Sequence, residues 1–159
     1  MMIVSSQIEI NNSKEWVLNI IRSPRNLEKI HPFCKKNIIE IWNEEKSIDY
    51  VHYYSGKIYK RKFMKWNNEG YVLEIYEDRK LATISWRINS NDKNSIIEII
   101  ARPYMPFKYK LINIIIFNLY VRYLLKTYLD SVVKGLKYFS ETNISVRKDQ
   151  FGKHIWYSG

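Results

Sequence analysis

The chain has 159 residues, of which 46% are hydrophobic and 26% are charged, and this balance excludes a disordered or low-complexity protein. The net charge of +10 is compatible with a polyanionic partner. The basic residues are scattered without a dense block, however, so we expect no specific nucleic-acid partner.

Cysteine content and the first residues bear on location. Cys34 is the only cysteine, which excludes an internal disulfide. Met1 to Ile10 reads as a strand rather than a signal peptide. The longest apolar run, 111–125, contains three polar residues and is shorter than the roughly 20 apolar residues that span a bilayer. We therefore expect one cytoplasmic domain covering residues 1–159.

The first predicted elements are a strand and two short helices. The strand covers about Met2 to Ile10. Asn12 precedes Glu15 by three residues, which is the spacing of a capping box at the start of a helix. A second helix is predicted from Ser23-Pro24, with serine as cap and proline at the first helical position. It should end near Ile30, because a proline two residues later disfavours helical geometry.

From Lys36 onward the hydrophobic period changes to two residues, which is typical of β-strands. Short polar turns separate the alternating segments, and short connections predict antiparallel neighbours. The predicted strands cover 37–42, 48–54, 57–66, 71–76, 82–88 and 95–104.

A long amphipathic helix, Phe117 to Ser140, is predicted after the sheet. Its apolar residues recur every three to four positions, so they form one face. That face consists of Val121, Leu125, Tyr128, Val132, Leu136 and Phe139. Residues 143–159 contain several apolar side chains, and we expect this tail to pack back on the body.

The order of one strand, two helices, six strands and a long helix is accompanied by several characteristic strings. These are His31-Pro32-Phe33-Cys34-Lys35, the spaced set Tyr53, Gly56, Tyr59, Arg61, Phe63 and Trp66, then Trp86-Arg87-Ile88, Val132-Val133-Lys134-Gly135-Leu136, and Gln150-Phe151-Gly152-Lys153-His154 with Trp156. Together they resemble the START-like superfamily, also called SRPBCC or Bet v1-like. Within it, they are similar to an uncharacterised prokaryotic subgroup of polyketide cyclase or dehydrase type.

The resemblance implies an α+β helix-grip fold, in which a curved antiparallel sheet of about seven strands wraps around the C-terminal helix and encloses a cavity. Members of the superfamily bind lipids, polyketides and other apolar molecules. A minority catalyse cyclisation or ring hydroxylation, and some act as co-chaperones. The oxygenase branch needs an iron site and a separate iron–sulfur domain, for which this chain has neither the cysteines nor the length. We expect no cofactor.

We predict that the cavity binds a small, mostly apolar ligand of lipid, polyketide or aromatic-acid type. Arg61 alternates with Tyr59 and Phe63, so the three side chains share one strand face. If that face lines the cavity, Arg61 needs an anionic partner, either a ligand carboxylate or phosphate or an acidic residue of the chain. If it faces water, Arg61 is only a solvated charge. The acidic candidates are Asp49, Glu74 and Glu98.

The predicted ligand-binding residues combine an apolar wall with a polar end. Arg61, helped by Tyr53 or Tyr59, would hold the polar end of the ligand. The full predicted set is Tyr53, Tyr59, Arg61, Phe63, Trp86, Leu125 and Tyr128.

Two other functions stay open. A cyclase or dehydratase would use the same cavity, with His52, Tyr59 and Arg61 as candidate catalytic residues. A basic surface protein would instead bind a membrane or nucleic acid. Segment 108–125 carries apolar residues on more than one side, which fits a lid, a homodimer contact or shallow membrane insertion. Because a homodimer contact is one of these interpretations, we expect the protein to be a monomer or a homodimer.

Metal binding is the weakest interpretation of the polar residues. His31 and Cys34 have a spacing that metal ligands use, and His52 or His154 could complete a set. A single cysteine without paired ligand motifs is more typical of a structural corner, in which Pro32 fixes the turn. We therefore predict no metal site.

Overall fold

The computed structural model describes residues 1–159 and contains one sheet of seven antiparallel strands. The strands are β1 Val4–Ile10, β2 Cys34–Ile41, β3 Ile48–Tyr53, β4 Ile58–Asn67, β5 Gly70–Tyr76, β6 Lys80–Asn91 and β7 Asn94–Pro103. Their spatial order is β1-β7-β6-β5-β4-β3-β2. Strands β2 to β7 are therefore arranged in sequence order, and β1 pairs with β7 at the far edge. Together with the helices that follow, this arrangement confirms the predicted α+β helix-grip fold.

The helix after the sheet is longer than the sequence indicated. The predicted start was Phe117, after a crossing segment, but the chain is already helical from Lys110. At the other end Asn143 adopts a left-handed backbone (φ 57°), and its N–H donates to the Phe139 carbonyl at 2.8 Å, which closes the helix. Helices α1 Lys14–Arg22 and α2 Leu27–Ile30 lie between β1 and β2, and the long helical stretch after the sheet has three consecutive parts: α3 Lys110–Ile116, a π-helical turn Phe117–Val121 and α4 Arg122–Thr142.

The first short helix, α1, spans Lys14–Arg22 and starts one residue later than the predicted capping box implies. Its N-cap is Ser13, whose hydroxyl accepts a hydrogen bond from the Trp16 amide at 3.2 Å. The predicted cap, Asn12, has another role. Its side-chain amide donates to the Ser140 carbonyl at 3.0 Å and ties the start of α1 to the end of α4.

The second short helix, α2, spans only Leu27–Ile30. It ends where predicted but starts after the predicted Ser23-Pro24, because Arg25 has a φ of 59° and cannot continue a right-handed helix. Helix α4 crosses α2 very closely at Gly135. A Cβ atom on that residue would lie 2.0 Å from the Ile30 carbonyl oxygen, so the contact requires glycine.

The C-terminal residues 143–159 lie against the body of the protein. The Val146 amide donates to the Lys29 carbonyl at 2.8 Å, and the Ser55 amide donates to the Tyr157 carbonyl at 3.1 Å. Tyr157 is 7% exposed. The tail therefore contributes side chains to the interior between the sheet and α4.

The register of β3 and β4 determines which side chains reach that interior. Asp49 lies directly opposite Arg61, and Val51 lies opposite Tyr59. All four side chains are buried, whereas the residues between them are more exposed. Alternation therefore directs one face of each strand inward, as the period of two predicts.

Candidate functional site

A cavity of about 440 Å³ lies between the inner face of the sheet and α4. Hydrophobic residues make up 23 of the 29 that line it. Its volume falls within the roughly 300–1,000 Å³ of typical small-molecule sites. The cavity opens between the turn that joins β5 to β6 and the segment that follows β7. Its mouth is marked by the most exposed lining residues, which are Arg79, Tyr104, Pro106, Phe107 and Tyr120.

Six of the seven residues predicted to bind ligand line this cavity. Phe63 does not, although it shares the inward face of β4 with Tyr59 and Arg61. Its ring packs instead against Trp42 at 5.4 Å and Tyr71 at 4.9 Å between centroids, beyond the end of the cavity. Its proposed contact with a ligand is therefore not supported. The six lining residues are Tyr53, Tyr59, Arg61, Trp86, Leu125 and Tyr128.

The candidate catalytic residue His52 lies on the wrong face of its strand. Because β-strand side chains alternate, the inward positions of β3 go to Val51 and Tyr53, and His52 points to the outer face, where it is partly exposed. It does not line the cavity. Of the three candidate catalytic residues, only Tyr59 and Arg61 reach the interior.

Arg61 forms a buried ion pair with Asp49, one of its three candidate partners. Arg61 is 4% exposed and Asp49 is fully buried. The Arg61 Nε donates to Asp49 Oδ1 at 2.7 Å, and its Nη2 donates to Oδ2 at 2.5 Å. The Asn37 side-chain amide adds a third hydrogen bond to Asp49 Oδ2, at 2.9 Å. Glu74 pairs with Lys80 instead.

The ion pair changes what Arg61 can offer a ligand. Burial alone would lower the pKa of Arg61, but the adjacent Asp49 carboxylate outweighs it, so the pKa is raised and the guanidinium keeps its charge. That charge is matched by a carboxylate of the chain itself. An anionic ligand is therefore not needed to neutralise Arg61.

A second polar cluster stands at the inner end of the cavity. It joins His31 at the end of α2, Tyr53 on β3 and Tyr128 on α4, all three of which line the cavity. His31 Nε2 lies 2.8 Å from the Tyr128 oxygen, and the Tyr128 and Tyr53 oxygens are 3.1 Å apart. Sequence reasoning placed His31 only at a structural corner, because its nearness to two tyrosines depends on tertiary packing.

The direction of these hydrogen bonds follows from the other nitrogen of His31. Nδ1 accepts a hydrogen bond from the Phe33 amide at 3.2 Å, so the proton of the neutral ring is on Nε2. Nε2 then donates to Tyr128. The two phenols carry two protons and share one hydrogen bond, so one O–H is left without a protein acceptor. The cluster therefore offers one hydrogen-bond donor to the cavity.

The groups of this cluster are uncharged near neutral pH. Burial, with a smaller contribution from Arg61, lowers the pKa of His31 to about 3. Burial also raises the pKa of Tyr53 and Tyr128 above the ordinary value. Neutral donors surrounded by apolar walls hold a polar, uncharged group more readily than a carboxylate, which would lose its hydration.

Tyr157 in the C-terminal tail is a lining residue that the sequence did not reveal. Its ring stacks on Tyr53 with a centroid distance of 4.4 Å and an interplanar angle of 29°. Next to it, His154 Nε2 donates to the Leu124 carbonyl at 2.9 Å, and Nδ1 accepts from the Trp156 amide. The tail was expected to pack back on the body, but nothing local indicates that it reaches the cavity.

A metal site and a membrane-spanning helix each require a recognisable arrangement of residues. No group of three or more His, Cys, Asp or Glu side chains is arranged to hold a metal ion. Cys34 is buried and unpaired, and its position next to Phe33 matches the structural corner predicted for this segment. None of the helices combines the length and apolar character that a membrane crossing requires.

The architecture is shared with many solved structures, although no family model and no curated protein matches the chain. DynU16, from the dynemicin biosynthetic locus, aligns with a TM-score of 0.71 at 11% identity over 94% of this chain and 51% of its own. The Aha1 dimer of Colwellia psychrerythraea gives 0.66 at 14% identity, over 89% and 98%. A norcoclaurine synthase of Thalictrum, solved with a transition-state analogue, gives 0.60 at 14%, over 84% and 92%.

These neighbours define the fold. The chain has the helix-grip fold that they share, which is the START-like, or SRPBCC, fold. At these identities the likeness concerns the fold alone, and function has to be argued from the site.

Proposed function

We propose that this protein binds a small, uncharged, mostly apolar molecule that carries at least one hydrogen-bond acceptor, in the cavity between the sheet and α4. The observation that carries the proposal is the pairing of apolar walls with a phenolic O–H, on Tyr53 or Tyr128, that has no protein acceptor. Apolar area supplies most of the affinity in such sites, and a few placed polar groups orient the ligand. A ketone, ester or ether oxygen suits that donor.

The internal pairing of Arg61 narrows the predicted ligand classes. The sequence favoured a ligand carboxylate or phosphate at Arg61, but Asp49 already occupies the guanidinium fork with two hydrogen bonds. A second anion beside Arg61 would also lie close to the Asp49 carboxylate, which repels it. Esters, ketones and similar neutral lipids or polyketides are therefore favoured over aromatic acids.

Binding is favoured over the cyclase or dehydratase alternative by the state of the polar groups. A general base must have a free lone pair within reach of the proton that it removes. His31 uses both ring nitrogens in hydrogen bonds, and no Asp or Glu lines the cavity. Burial raises the pKa values of the tyrosines in the interior of the cavity, Tyr53, Tyr59, Tyr128 and Tyr157, which suits donors rather than bases.

The first experiment is native mass spectrometry of the purified protein, followed by solvent extraction. We expect an additional mass that extracts as a neutral lipid or polyketide. Calorimetric titration with methyl decanoate, decanoic acid and decane then tests the polarity of the site. The ester should bind most tightly, and the acid at neutral pH should bind more weakly than the ester.

Three variants connect this affinity with the cluster. The double variant Tyr53→Phe/Tyr128→Phe removes both phenols and should lower the ester affinity about five- to tenfold, the effect of one hydrogen bond. Each single variant still leaves one phenol with a free O–H and should lower the ester affinity less than the double variant does. Decane should be unaffected. Tyr50→Phe is the matched control, because its hydroxyl bonds Glu40 on the outer face of the sheet. Tighter binding of the acid than the ester, or no binding of any probe by the folded protein, would refute the proposal.

A further inference from the structure

The segment around the cavity mouth exposes an unusual amount of apolar surface. Of the eighteen large hydrophobic side chains that are exposed in the whole chain, ten lie between Tyr104 and Tyr123. We call these ten the mouth patch; they are Tyr104, Phe107, Tyr109, Leu111, Ile112, Ile114, Ile115, Leu119, Tyr120 and Tyr123. A contiguous patch of this kind marks an interaction surface.

The patch has a defined geometry along α3, the π-helical turn and the start of α4. Leu111, Ile115, Leu119 and Tyr123 recur every four residues, which places them on one side of the continuous helix. Their exposed fractions are 69%, 49%, 79% and 70%. Phe117 points the other way and is buried. The same segment therefore covers the cavity with one side and presents apolar side chains to solvent with the other.

The charged residues of the segment that carries the patch are all basic. Between Ile99 and Leu129 the chain has five basic residues and no acidic residue. Lys108, Lys110 and Arg122 are exposed, and none of them forms a salt bridge with a carboxylate. An apolar surface with a basic rim is complementary to a bilayer that carries anionic headgroups.

We propose that the mouth patch docks the protein on an anionic phospholipid bilayer, with Leu111, Ile115, Leu119 and Tyr123 inserted at the headgroup level. Tyrosine rings are well suited to this interface, because an apolar ring and a polar hydroxyl meet there. The docked orientation turns the cavity mouth, which Tyr120 and Phe107 help to line, toward the acyl chains. Docking itself does not depend on the identity of the cavity ligand.

Two other occupants fit the patch less well. In a symmetric dimer the patch would contact itself, which brings Lys108, Lys110 and Arg122 of two copies together, and the segment itself has no acidic residue to balance them. A nucleic acid would satisfy the positive charge, but it has no apolar phase in which Leu111 and Leu119 could be buried. The dimer is one of the outcomes of the test below.

The test measures co-sedimentation of the full chain with vesicles of phosphatidylcholine, with and without phosphatidylglycerol. We expect binding to the anionic vesicles that weakens as salt is added. Leu111→Glu and Leu119→Glu, examined separately, should each reduce vesicle affinity by about tenfold or more, since a carboxylate replaces an inserted apolar chain. Both side chains are largely exposed, so circular dichroism should show the fold unchanged.

Matched controls separate the patch from general hydrophobicity and charge. Ile144→Glu alters a side chain that is 57% exposed, just beyond the opposite end of α4, and should leave vesicle binding intact. The triple variant Lys108→Gln, Lys110→Gln and Arg122→Gln should weaken binding to anionic vesicles by about tenfold or more. Removing the same charge at three exposed lysines elsewhere should have a much smaller effect: Lys35, Lys65 and Lys93.

Three results would overturn the proposal. One is absence of binding to anionic vesicles at low salt. Another is binding that survives both Leu111→Glu and Leu119→Glu. The third is a concentration-dependent dimer that Leu119→Glu dissociates, in a protein that does not bind vesicles. Ester binding in the cavity is measured without vesicles. Failure of the vesicle experiment therefore does not contradict ligand binding in the cavity, and failure of the ester titration does not contradict docking on the bilayer.

Discussion

Arg61 and Asp49 face each other across β3 and β4 and bury a bidentate ion pair beside the cavity. The pair places two opposite charges where the surrounding side chains are mostly aromatic. Arg61 also lies 5.3 Å from the centroid of the Phe63 ring. The Asp49 carboxylate therefore explains how Arg61 can be buried without an anionic ligand beside it.

Removal of one partner should cost much more stability than removal of both. Arg61→Met leaves the Asp49 carboxylate buried without a cation and should lower the free energy of unfolding by about 3–5 kcal/mol. The double variant Arg61→Met/Asp49→Leu should recover most of this loss, because no charge is then left unpaired. Urea unfolding of the four proteins of this cycle measures the coupling. Additive losses would show that the pair is not coupled as the geometry indicates.

The stability of the protein should fall in acid through His31. Burial lowers its folded-state pKa to about 3 from 6.5, so between those pH values the unfolded chain binds the proton and the folded protein does not. Above pH 6.5 His31 is neutral in both states and does not make the free energy of unfolding depend on pH. As the pH falls from 6.5 toward 3, protonation of His31 in the unfolded chain lowers the free energy of unfolding by about 1.4 kcal/mol per pH unit. Below about pH 3 the decline from this group ends.

The variant His31→Gln isolates this contribution. Its free energy of unfolding should vary less steeply between pH 3 and 6.5 than that of the unmodified protein. Some dependence should persist, because burial also lowers the pKa of His154. Parallel stability curves for the two proteins over this range would mean that His31 titrates normally.

The close crossing of α2 and α4 should make Gly135 intolerant of any side chain. Gly135→Ala places a methyl group against the Ile30 backbone carbonyl, and the helices must separate to accept it. We expect a loss of about 1–3 kcal/mol in the free energy of unfolding. The neighbouring exposed residue provides the control, since Lys134→Ala should change stability by less than about 0.5 kcal/mol. Equal stabilities of the two variants would contradict the crossing geometry.

The single thiol should be protected in the folded protein. Burial raises the pKa of Cys34 to about 12, and the residue is 5% exposed. Its reaction with a disulfide reagent at neutral pH should therefore be about a thousandfold slower than in the unfolded chain, in proportion to the thiolate fraction. The absorbance of the thiol that the reagent releases measures the reaction of Cys34 alone, because no other cysteine is present. Rapid labelling of the native protein would refute this.

Several parts of the site could be predicted because they depend on local periodicity. Alternation along β4 was enough to place Arg61 and Tyr59 on the same face, and the structure directs that face inward. Helical spacing likewise directed Leu125 and Tyr128 toward the sheet. Phe63 also faces inward as predicted, but periodicity gives only the face of a strand and not the distance along it at which the cavity ends.

Other parts could not be predicted, because they involve residues that are far apart in sequence. His31 and Tyr128 are 97 positions apart, and their hydrogen bond exists only after α4 has crossed the end of α2. Tyr157 reaches Tyr53 because the tail folds back over that same end. The early start of the long helix at Lys110 was also missed, since its exposed apolar residues do not form the single stripe that indicates a buried helix.

The sequence by itself determined the order of strands and helices and which side chains share a face of a strand or of α4, because backbone geometry imposes those periods residue by residue. Tertiary structure alone decided that Asp49, among three acids, neutralises Arg61, and that two tyrosines and a histidine leave one hydroxyl without a protein acceptor. Strand register and helix crossing set those distances, and both follow from packing of the whole chain. A difference of two residues in register would give Arg61 another partner and the cavity another polarity.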